Sequence, residues 1–381
     1  MKKYLLWMYR ILLLLFIGAN VYLLVSGKTF VYTTLLHLNP DLDDYKIFTN
    51  REVKNGNVQK WPKSALYNKK YLPASCSEVL QKYNTTAFLI IHNDSLLYER
   101  YYENGGKTQL SNSFSVAKSI VNILCGIALK EGKIKSLDEP IGNYLPEYKE
   151  GARAQIKIRH LLSMSSGLDW DESYSSLFSP TTEAYYGTDI HRLISRFNVV
   201  NTPGTVCAYK TIDVQLLCEV LTKACGESIS QYASEKLWKK VGAAQTALWA
   251  TDHKDGEEKA YCCFSAEASD FARIGQLYLD SGSWKGSSIV DKNFMKLSVK
   301  PNMLKDDEGN VTDYYGYLWW VMNYQNENIF YARGIKGQYV IVVPSKRIII
   351  VRLGEDRSSE QFNHHHLEME NMLDAAMNMI K

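Results

Sequence analysis

Residues 113–124 read SFSVAKSIVNIL and place a lysine three residues after a serine, at the start of an apolar stretch. Residues i and i+3 share one face of a helix, so the Lys118 amine lies within reach of the Ser115 hydroxyl. Apolar neighbours such as Ile120 and Ile123 predict a buried face, and burial favours the uncharged form of an amine. Such an amine is a candidate general base for a serine nucleophile. A capping serine with a lysine that reaches solvent is the alternative.

The sequence on both sides of this stretch predicts the fold class. Residues 85–102 contain two β-rich runs separated by turn residues, which is typical of a hairpin. Residues from about 133 to 255 carry apolar side chains at helical spacing, and from about 315 the pattern becomes strand-like before a final amphipathic helix. We therefore expect an α+β fold: one antiparallel sheet built from both ends of the chain, flanked by N- and C-terminal helices, with an inserted helical subdomain at 133–255.

The first 27 residues differ from the rest. Lys2, Lys3 and Arg10 accompany an apolar stretch over residues 11–25. This pattern predicts an N-terminal membrane-spanning segment, a signal anchor whose basic residues stay in the cytoplasm, with a cleaved signal peptide as the alternative. Either interpretation puts the remaining chain outside the cytoplasm, on the periplasmic or extracellular face, and a cleaved signal would make the protein secreted.

The remaining chain divides into a polar, irregular stalk or arm over residues 28–75 and a main domain over residues 76–381. Hydrophobic residues make up 46% and charged residues 22% of the 381 positions, which is typical of a globular protein. The net charge is +3 without a basic run, which argues against nucleic acid as a partner. The seven cysteines lack metal-ligand spacing, and the adjacent Cys262 and Cys263 are not expected to bond to each other.

Several further segments follow one another in a familiar order. Together with the Ser-x-x-Lys helix, the chain resembles the serine hydrolase family of class C β-lactamases, D-alanyl-D-alanine carboxypeptidases and related esterases. The segments are TTAFLIIHNDSLLYERYY (85–102), SLDEPIGNYLPE (136–147), IRHLLSMSSGLDW (158–170), TPGTVCAYKTIDVQLLCEVL (202–221), SAEASDFARIGQLYLDSGSWKG (265–286), YGYLWWV (315–321) and ARGIKGQYVIVVPSKRIIIVRLG (332–354). The resemblance implies a β-lactamase/D,D-peptidase-like fold with Ser115 as nucleophile and Lys118 as base.

The family's second motif, Tyr-x-Asn, falls on Tyr209, Lys210 and Thr211. The resemblance implies that Tyr209 is a phenolic base or proton relay. Thr211 replaces the asparagine, so the usual hydrogen bond of that asparagine to a substrate amide is in doubt, and Thr211 becomes a candidate substrate-binding residue.

The third motif, Lys-Thr-Gly or His-x-Gly, falls on Ile335, Lys336 and Gly337. Lys336 is one place out of register and faces the other side of a strand, so the cation that holds a substrate carboxylate is missing. Ile335 and Gly337 are candidate substrate-binding residues. The backbone N–H groups of Ser115 and Gln338 are the candidate oxyanion hole.

Tyr209, Thr211 and Asp213 together with ARGIKGQ resemble most the 6-aminohexanoate-dimer hydrolase branch, which contains amidases and carboxylesterases. In that branch a loop tyrosine contacts the scissile group, which makes Tyr174 a further candidate. The expected function is therefore a serine hydrolase acting through an acyl-enzyme on a small ester or amide, without a metal or organic cofactor. A penicillin-binding D,D-peptidase or β-lactamase, with a cell-wall peptide as its partner, and a catalytically silent envelope binding protein are the alternatives.

Two histidine features are interpreted as structural. The tract of residues 364–366 has no nearby carboxylate or cysteine in sequence and is expected on the surface, not at a metal. His160 opens a helix and is expected to cap it or to pack against it.

Overall fold

The computed structural model describes residues 2–381. Its helices are α1 (Lys2–Val25), α2 (Phe30–His37), α3 (Ala74–Lys82), α4 (Val116–Lys130), α5 (Ile158–Leu162), α6 (Pro180–Tyr186), α7 (Ile190–Ser195), α8 (Thr211–Cys225), α9 (Ile229–Ala233), α10 (Ala268–Leu279), α11 (Lys292–Ser298) and α12 (Glu368–Met379). Its strands are β1 (Thr49–Val53), β2 (Thr85–His92), β3 (Ser95–Tyr101), β4 (Ser111–Asn112), β5 (Ala247–Thr251), β6 (Phe264–Ala266), β7 (Ser283–Trp284), β8 (Ser287–Ser288), β9 (Trp320–Tyr324), β10 (Glu327–Gly334), β11 (Gln338–Val343), β12 (Ile348–Gly354), β13 (Gln361–Phe362) and β14 (His365–His366).

The main sheet has six antiparallel strands in the order β3-β2-β12-β11-β10-β9. Strand β12 pairs with β2 on one side and β11 on the other, so it joins the two ends of the chain. All seven of its residues are buried, which requires packing on both faces of the sheet. The predicted α+β fold with a sheet from both ends of the chain is confirmed.

Helices cover this sheet, and one of them, α4, packs on its interior strands β10 and β11. Helix α10 packs on β11 and β12, where a Cβ at Gly275 would lie 2.9 Å from Ile349 Cγ2. Helices α3 and α12 pack against each other and against β2 and β12 respectively. Helix α4 packs on α8 and on β10, which places the start of α4 beside the end of β10.

The β2–β3 hairpin shows why the local sequence predicts it well. Its two connecting residues, Asn93 and Asp94, have φ of 47° and 62°. Asparagine and aspartate tolerate this left-handed region, and two such residues form the hairpin turn that matches strand twist.

The segment over residues 28–75 differs from the predicted irregular stalk, because it packs on the body. Strand β1 pairs with β5 in a second, four-stranded sheet of order β1-β5-β6-β4, and Val53 is fully buried. The buried Asp44 accepts a hydrogen bond of 2.6 Å from the Tyr185 hydroxyl. The pairing of β1 with β5 therefore fixes a segment whose polar composition predicted an irregular stalk.

Candidate active site

A strained turn presents Ser115 at the start of α4. Phe114, directly before it, has φ of 45°, a region that a bulky residue rarely adopts. Two hydrogen bonds hold this turn: Phe114 N–H donates to Asn112 Oδ1 at 3.0 Å, and Ser113 N–H donates to the Phe264 carbonyl at 2.9 Å. Strain of this kind persists only where surrounding contacts enforce it, and it is concentrated at functional sites.

Lys118 is buried, with 1% of its surface exposed. Its Nζ donates to Ser115 Oγ at 3.2 Å and to the Tyr261 carbonyl at 2.9 Å. Within residues 2–381 no carboxylate pairs with this amine. The amine is therefore held by a backbone carbonyl within hydrogen-bond reach of the Ser115 hydroxyl, which is the geometry that a general base requires.

Tyr209 lies against the same amine. The Lys118 Nζ is 5.1 Å from the Tyr209 ring centroid. Tyr315 and Trp320 pack around that ring at centroid distances of 5.9 and 5.7 Å. The structure thus brings the side chains of Ser115, Lys118 and Tyr209 into one cluster.

A cavity of about 220 Å³ opens beside this cluster. It is lined by Ser115 and by three residues singled out from the sequence, Thr211, Tyr174 and Ile335. Within the described chain, residues 2–381, the lining contains no Asp, Glu, Lys, Arg or His. The cavity therefore suits an uncharged group around the reacting bond.

The geometry favours Ile335 over Gln338 as the second oxyanion donor. The N–H groups of Ser115 and Ile335 donate to no other atom among residues 2–381, and both residues line the cavity. Gln338 instead lies opposite Gly334 in the β10–β11 ladder and does not line the cavity, and its side-chain Nε2 donates to the Gly354 carbonyl at 2.6 Å.

Gly337 also lies outside the cavity lining. Its carbonyl accepts a hydrogen bond of 2.8 Å from Arg352, and a Cβ at this position would collide with the Arg352 guanidinium. Glycine is therefore required at residue 337 because the buried Arg352 side chain packs closely against its backbone. Its positive φ of 78° adds a second reason for glycine.

Gly334 fixes the distance between the two free N–H groups. A Cβ at this position would lie 2.4 Å from the Ser113 carbonyl. We expect Gly334→Ala to push β10 away from the turn before Ser115 and to lower kcat for a nitrophenyl ester by about 10²-fold, the effect of removing one oxyanion donor. Steady-state kinetics with circular dichroism of the folded variant test this. Gly106→Ala, where φ is not positive and the nearest atom to the added Cβ is 3.4 Å away, is the control; equal kcat in the two variants would contradict it.

Glu172 is a site residue that the sequence analysis missed. Its carboxylate accepts hydrogen bonds from Thr211 N–H at 2.7 Å, Thr211 Oγ1 at 2.6 Å, Tyr174 Oη at 2.6 Å and Trp170 Nε1 at 2.7 Å. It therefore ties the Tyr174 loop to the start of α8. The sequence has acidic residues at positions 169, 171 and 172, and nothing local separates their roles. Only the contact with Thr211, which is distant in sequence, distinguishes Glu172 from the other two.

Lys336 does not serve as a free cation at the site. It has φ of 60°, and its Nζ lies 3.4 Å from Asp41 Oδ1 on the N-terminal segment. The ion pair is partly exposed, so its contribution to stability is small. It holds the β10–β11 turn to residues that wall the cavity.

Cys262 and Cys263 form a disulfide, contrary to the expectation that neighbouring cysteines would stay apart. Cys263 has φ of 63°, a left-handed turn at the bond between the two residues. Cys262 lines the cavity, and the preceding carbonyl, that of Tyr261, is the one that holds the Lys118 amine.

The histidine predictions have different outcomes. His160 Nδ1 accepts a hydrogen bond of 3.2 Å from Lys157 N–H at the start of α5, the capping role expected of it. In the tract at residues 364–366 only His364 is exposed as expected, because β14 turns His365 and His366 inward. His365 Nδ1 lies 2.6 Å from the Tyr331 hydroxyl, and His366 is only 2% exposed.

Asp213, on the first turn of α8, is fully buried and is bound by the N–H and hydroxyl of Ser166. Burial raises the pKa of its carboxyl from 3.8 to about 7. Between these two values the folded protein holds a proton that the unfolded chain releases, so this group makes the free energy of unfolding fall by about 1.4 kcal/mol per pH unit as the pH rises.

We expect Asp213→Asn to remove that slope, because asparagine resembles the protonated acid. The variant should match the wild type near pH 4 and exceed its stability by a few kcal/mol at pH 8. Urea unfolding of both proteins across this pH range measures the difference. Parallel stability curves would show that Asp213 is already ionised in the folded protein near pH 4.

Comparisons with known proteins place this geometry among related chains. The family model described as Beta-lactamase matches residues 77–368. The 6-aminohexanoate-dimer hydrolase of Paenarthrobacter ureafaciens is 23% identical over 314 residues, which cover 78% of this chain and 79% of the relative.

Solved structures show the same fold. A Bacillus anthracis protein, provisionally assigned as a 6-aminohexanoate-dimer hydrolase, has a TM-score of 0.74 and 20% identity, covering 87% of this chain and 89% of its own. The penicillin binding protein of Bacillus halodurans has a TM-score of 0.61 and 16% identity, covering 80% of this chain and 100% of its own.

Proposed function

This chain belongs to the beta-lactamase family of serine hydrolases, and we propose that it is an active member that forms an acyl-enzyme on Ser115. The observation that carries the proposal is the distance of 3.2 Å from the buried Lys118 amine to the Ser115 hydroxyl. A nucleophile and base within hydrogen-bond reach, with the base held by a third group, are the requirement for a serine to be activated. The Tyr261 carbonyl is that third group.

Acylation begins when Ser115 Oγ attacks a carbonyl carbon and Lys118 Nζ accepts the hydroxyl proton. The N–H groups of Ser115 and Ile335 stabilise the negative oxygen of the tetrahedral intermediate. Tyr209 delivers a proton to the leaving group, and in deacylation it takes a proton from the attacking water. Lys118 returns its proton to Ser115 Oγ as the acyl group leaves. Neither step uses a metal or an organic cofactor.

The proposed substrate is a small, uncharged ester or amide. A cavity lined without charged side chains offers nothing to pair with a substrate carboxylate, and Lys336, the nearest motif cation, is paired with Asp41. This supports an esterase or amidase over a D,D-peptidase or β-lactamase. A relative is named as a 6-aminohexanoate-dimer hydrolase, and that dimer is a short linear amide with an ammonium and a carboxylate at its ends, so it supports the linkage and the length of the proposed substrate and not its lack of charge.

The proposed location is a membrane-anchored domain outside the cytoplasm. Helix α1 has 24 residues, a mean hydropathy of 2.0 in its most apolar window and no buried residue in that window. At 1.5 Å per residue its length is sufficient to cross the hydrocarbon core of about 30 Å.

Intact-mass spectrometry after incubation with nitrophenyl butyrate, a hexanoyl anilide, benzylpenicillin and a fluorophosphonate tests the function. We expect a butyryl adduct and a fluorophosphonate adduct, each on the peptide containing Ser115, and none from penicillin. A penicillin adduct would favour the D,D-peptidase alternative. Absence of any adduct and of ester turnover would favour a silent binding protein.

A further inference from the structure

The segment that emerges from α1 builds one wall of the cavity. Only residues 26–29 separate α1 from α2, and Tyr32 on α2 donates a hydrogen bond of 2.7 Å to Asn20 Oδ1 on α1. Thr34, Leu38 and residues 39–40 then line the cavity. The reactive serine therefore faces a wall formed by the segment that directly follows the apolar helix.

The opposite wall also reaches the end of α1. Tyr174 and Leu177 line the cavity, and the neighbouring Phe178 ring lies 5.3 Å from Lys28 Nζ, just beyond α1. Lysines at the ends of membrane helices extend to the interface while their stems contact apolar groups. Both walls of the mouth thus reach the segment that directly follows α1.

Exposed apolar side chains surround this mouth, and we call them the apolar collar: Leu35, Leu36, Leu38, Tyr174, Leu177 and Phe178. Their exposed fractions run from 40% for Leu177 to 80% for Leu36. Exposed apolar side chains grouped at a cavity mouth mark an interaction site. Because the segments that carry them adjoin the end of α1, the occupant that we infer for the collar is the bilayer surface.

The cavity behind the collar has matching chemistry. Its lining lacks charged side chains within the described chain and includes the aromatic rings of Phe114, Tyr185 and Tyr261. Such a lining accepts an uncharged acyl chain and excludes a charged one, because nothing inside compensates the desolvation of a charge.

We propose that the apolar collar lies in the headgroup region of the outer leaflet and that the ester of the proposed function enters from the bilayer, with only the part of its acyl chain next to the ester group in the cavity and the rest of the chain between the collar and the lipid. This rests on the proposed function, since Ser115 performs the chemistry. The Ser115 Oγ–acyl carbon bond forms as the ester C–O bond breaks, and the alcohol leaves with a proton from Tyr209. Water then releases the carboxylic acid and restores Ser115.

The test uses the full-length protein in phosphatidylcholine vesicles with two probes, 4-methylumbelliferyl oleate in the bilayer and 4-methylumbelliferyl butyrate in solution. The collar variant carries Leu35→Ser, Leu36→Glu and Phe178→Ser, three positions outside the cavity lining. We expect oleate hydrolysis to fall at least tenfold and butyrate hydrolysis to change less than twofold. Leu66→Glu, an apolar residue 46% exposed elsewhere, is the matched control.

A second measurement on the wild type does not depend on how the collar variant folds. At constant bulk oleate ester, added phosphatidylcholine should lower the rate in proportion to the mole fraction of the ester in the bilayer. The proposal would be overturned if the rate of oleate ester hydrolysis did not change with the mole fraction of the ester in the bilayer. It would also be overturned if the collar variant hydrolysed the oleate ester at the wild-type rate. If the collar variant lost both oleate and butyrate hydrolysis, the collar residues would be needed for the structure of the cavity, and the proposal would also be overturned. A wild type without butyrate turnover would instead contradict the proposed function.

Discussion

Replacing Ser115 by alanine is expected to lower kcat/KM for nitrophenyl butyrate by about 10⁴-fold or more, and to abolish the fluorophosphonate adduct. Loss of a serine nucleophile removes the covalent route, and only binding and the oxyanion donors remain. The side chain is half-buried at the start of α4, so the fold should tolerate the loss of one oxygen. Stopped-flow or steady-state hydrolysis and intact mass measure the two effects.

Ser119→Ala is the matched control for this variant. Ser119 lies on the next turn of α4, is buried, and donates a hydrogen bond of 2.6 Å to the Leu318 carbonyl. We expect its removal to cost stability of about 1–3 kcal/mol, since a buried acceptor is left unpaired, with activity retained. An adduct that persists in Ser115→Ala, or equal activity in both variants, would remove Ser115 from the proposed mechanism.

Lys118→Met is expected to produce the second-largest effect, a loss of about 10³-fold in the rate of acylation. Methionine has a similar length and fills the same apolar space, but it accepts no proton, and general-base catalysis contributes about 10²–10⁴-fold. Stability should fall by no more than about 1–3 kcal/mol, because methionine fills the same space while the Tyr261 carbonyl loses its donor. The rate of fluorophosphonate labelling and thermal unfolding measure the two quantities separately.

The chain provides a control in a second fully buried lysine. Lys259 Nζ donates to the Ala184 carbonyl at 2.8 Å, and burial lowers the pKa of this amine to about 7. Lys259→Met should likewise remain folded near neutral pH, because the lost hydrogen bond is offset by the removal of a buried amine, while labelling stays within about threefold of the wild type. Equal loss of labelling in both variants would mean that Lys118 acts through packing, not as a base.

Local patterns were sufficient to predict the hairpin and the serine–lysine pair. The turn at Asn93 and Asp94 depends on residue type alone, and the reach of Lys118 to Ser115 depends only on helical spacing. The sheet built from both ends of the chain followed from the order of elements. These features involve either neighbouring residues or a simple count of strands and helices.

The features that the sequence did not predict depend on distant contacts or on backbone direction. Strand β1 has no apolar alternation, and its partner β5 lies about two hundred residues away, so nothing local distinguishes it from a loop. The N–H of Ile335 is left without a partner by the turn in which Lys336 has φ of 60°. The residue type at position 336 does not predict this backbone conformation. Glu172 gains its role only when α8 is placed beside its loop.

The pairing of β1 with β5 limits where a truncated version of this protein can begin. A recombinant domain starting at residue 76 would lack β1 and leave one side of β5 with unpaired N–H and C=O groups, while β6 still occupies the other side. Uncovered strand edges recruit strands from other molecules, and aggregation or domain exchange follows. Expression boundaries should therefore keep Thr49–Val53 with the main body.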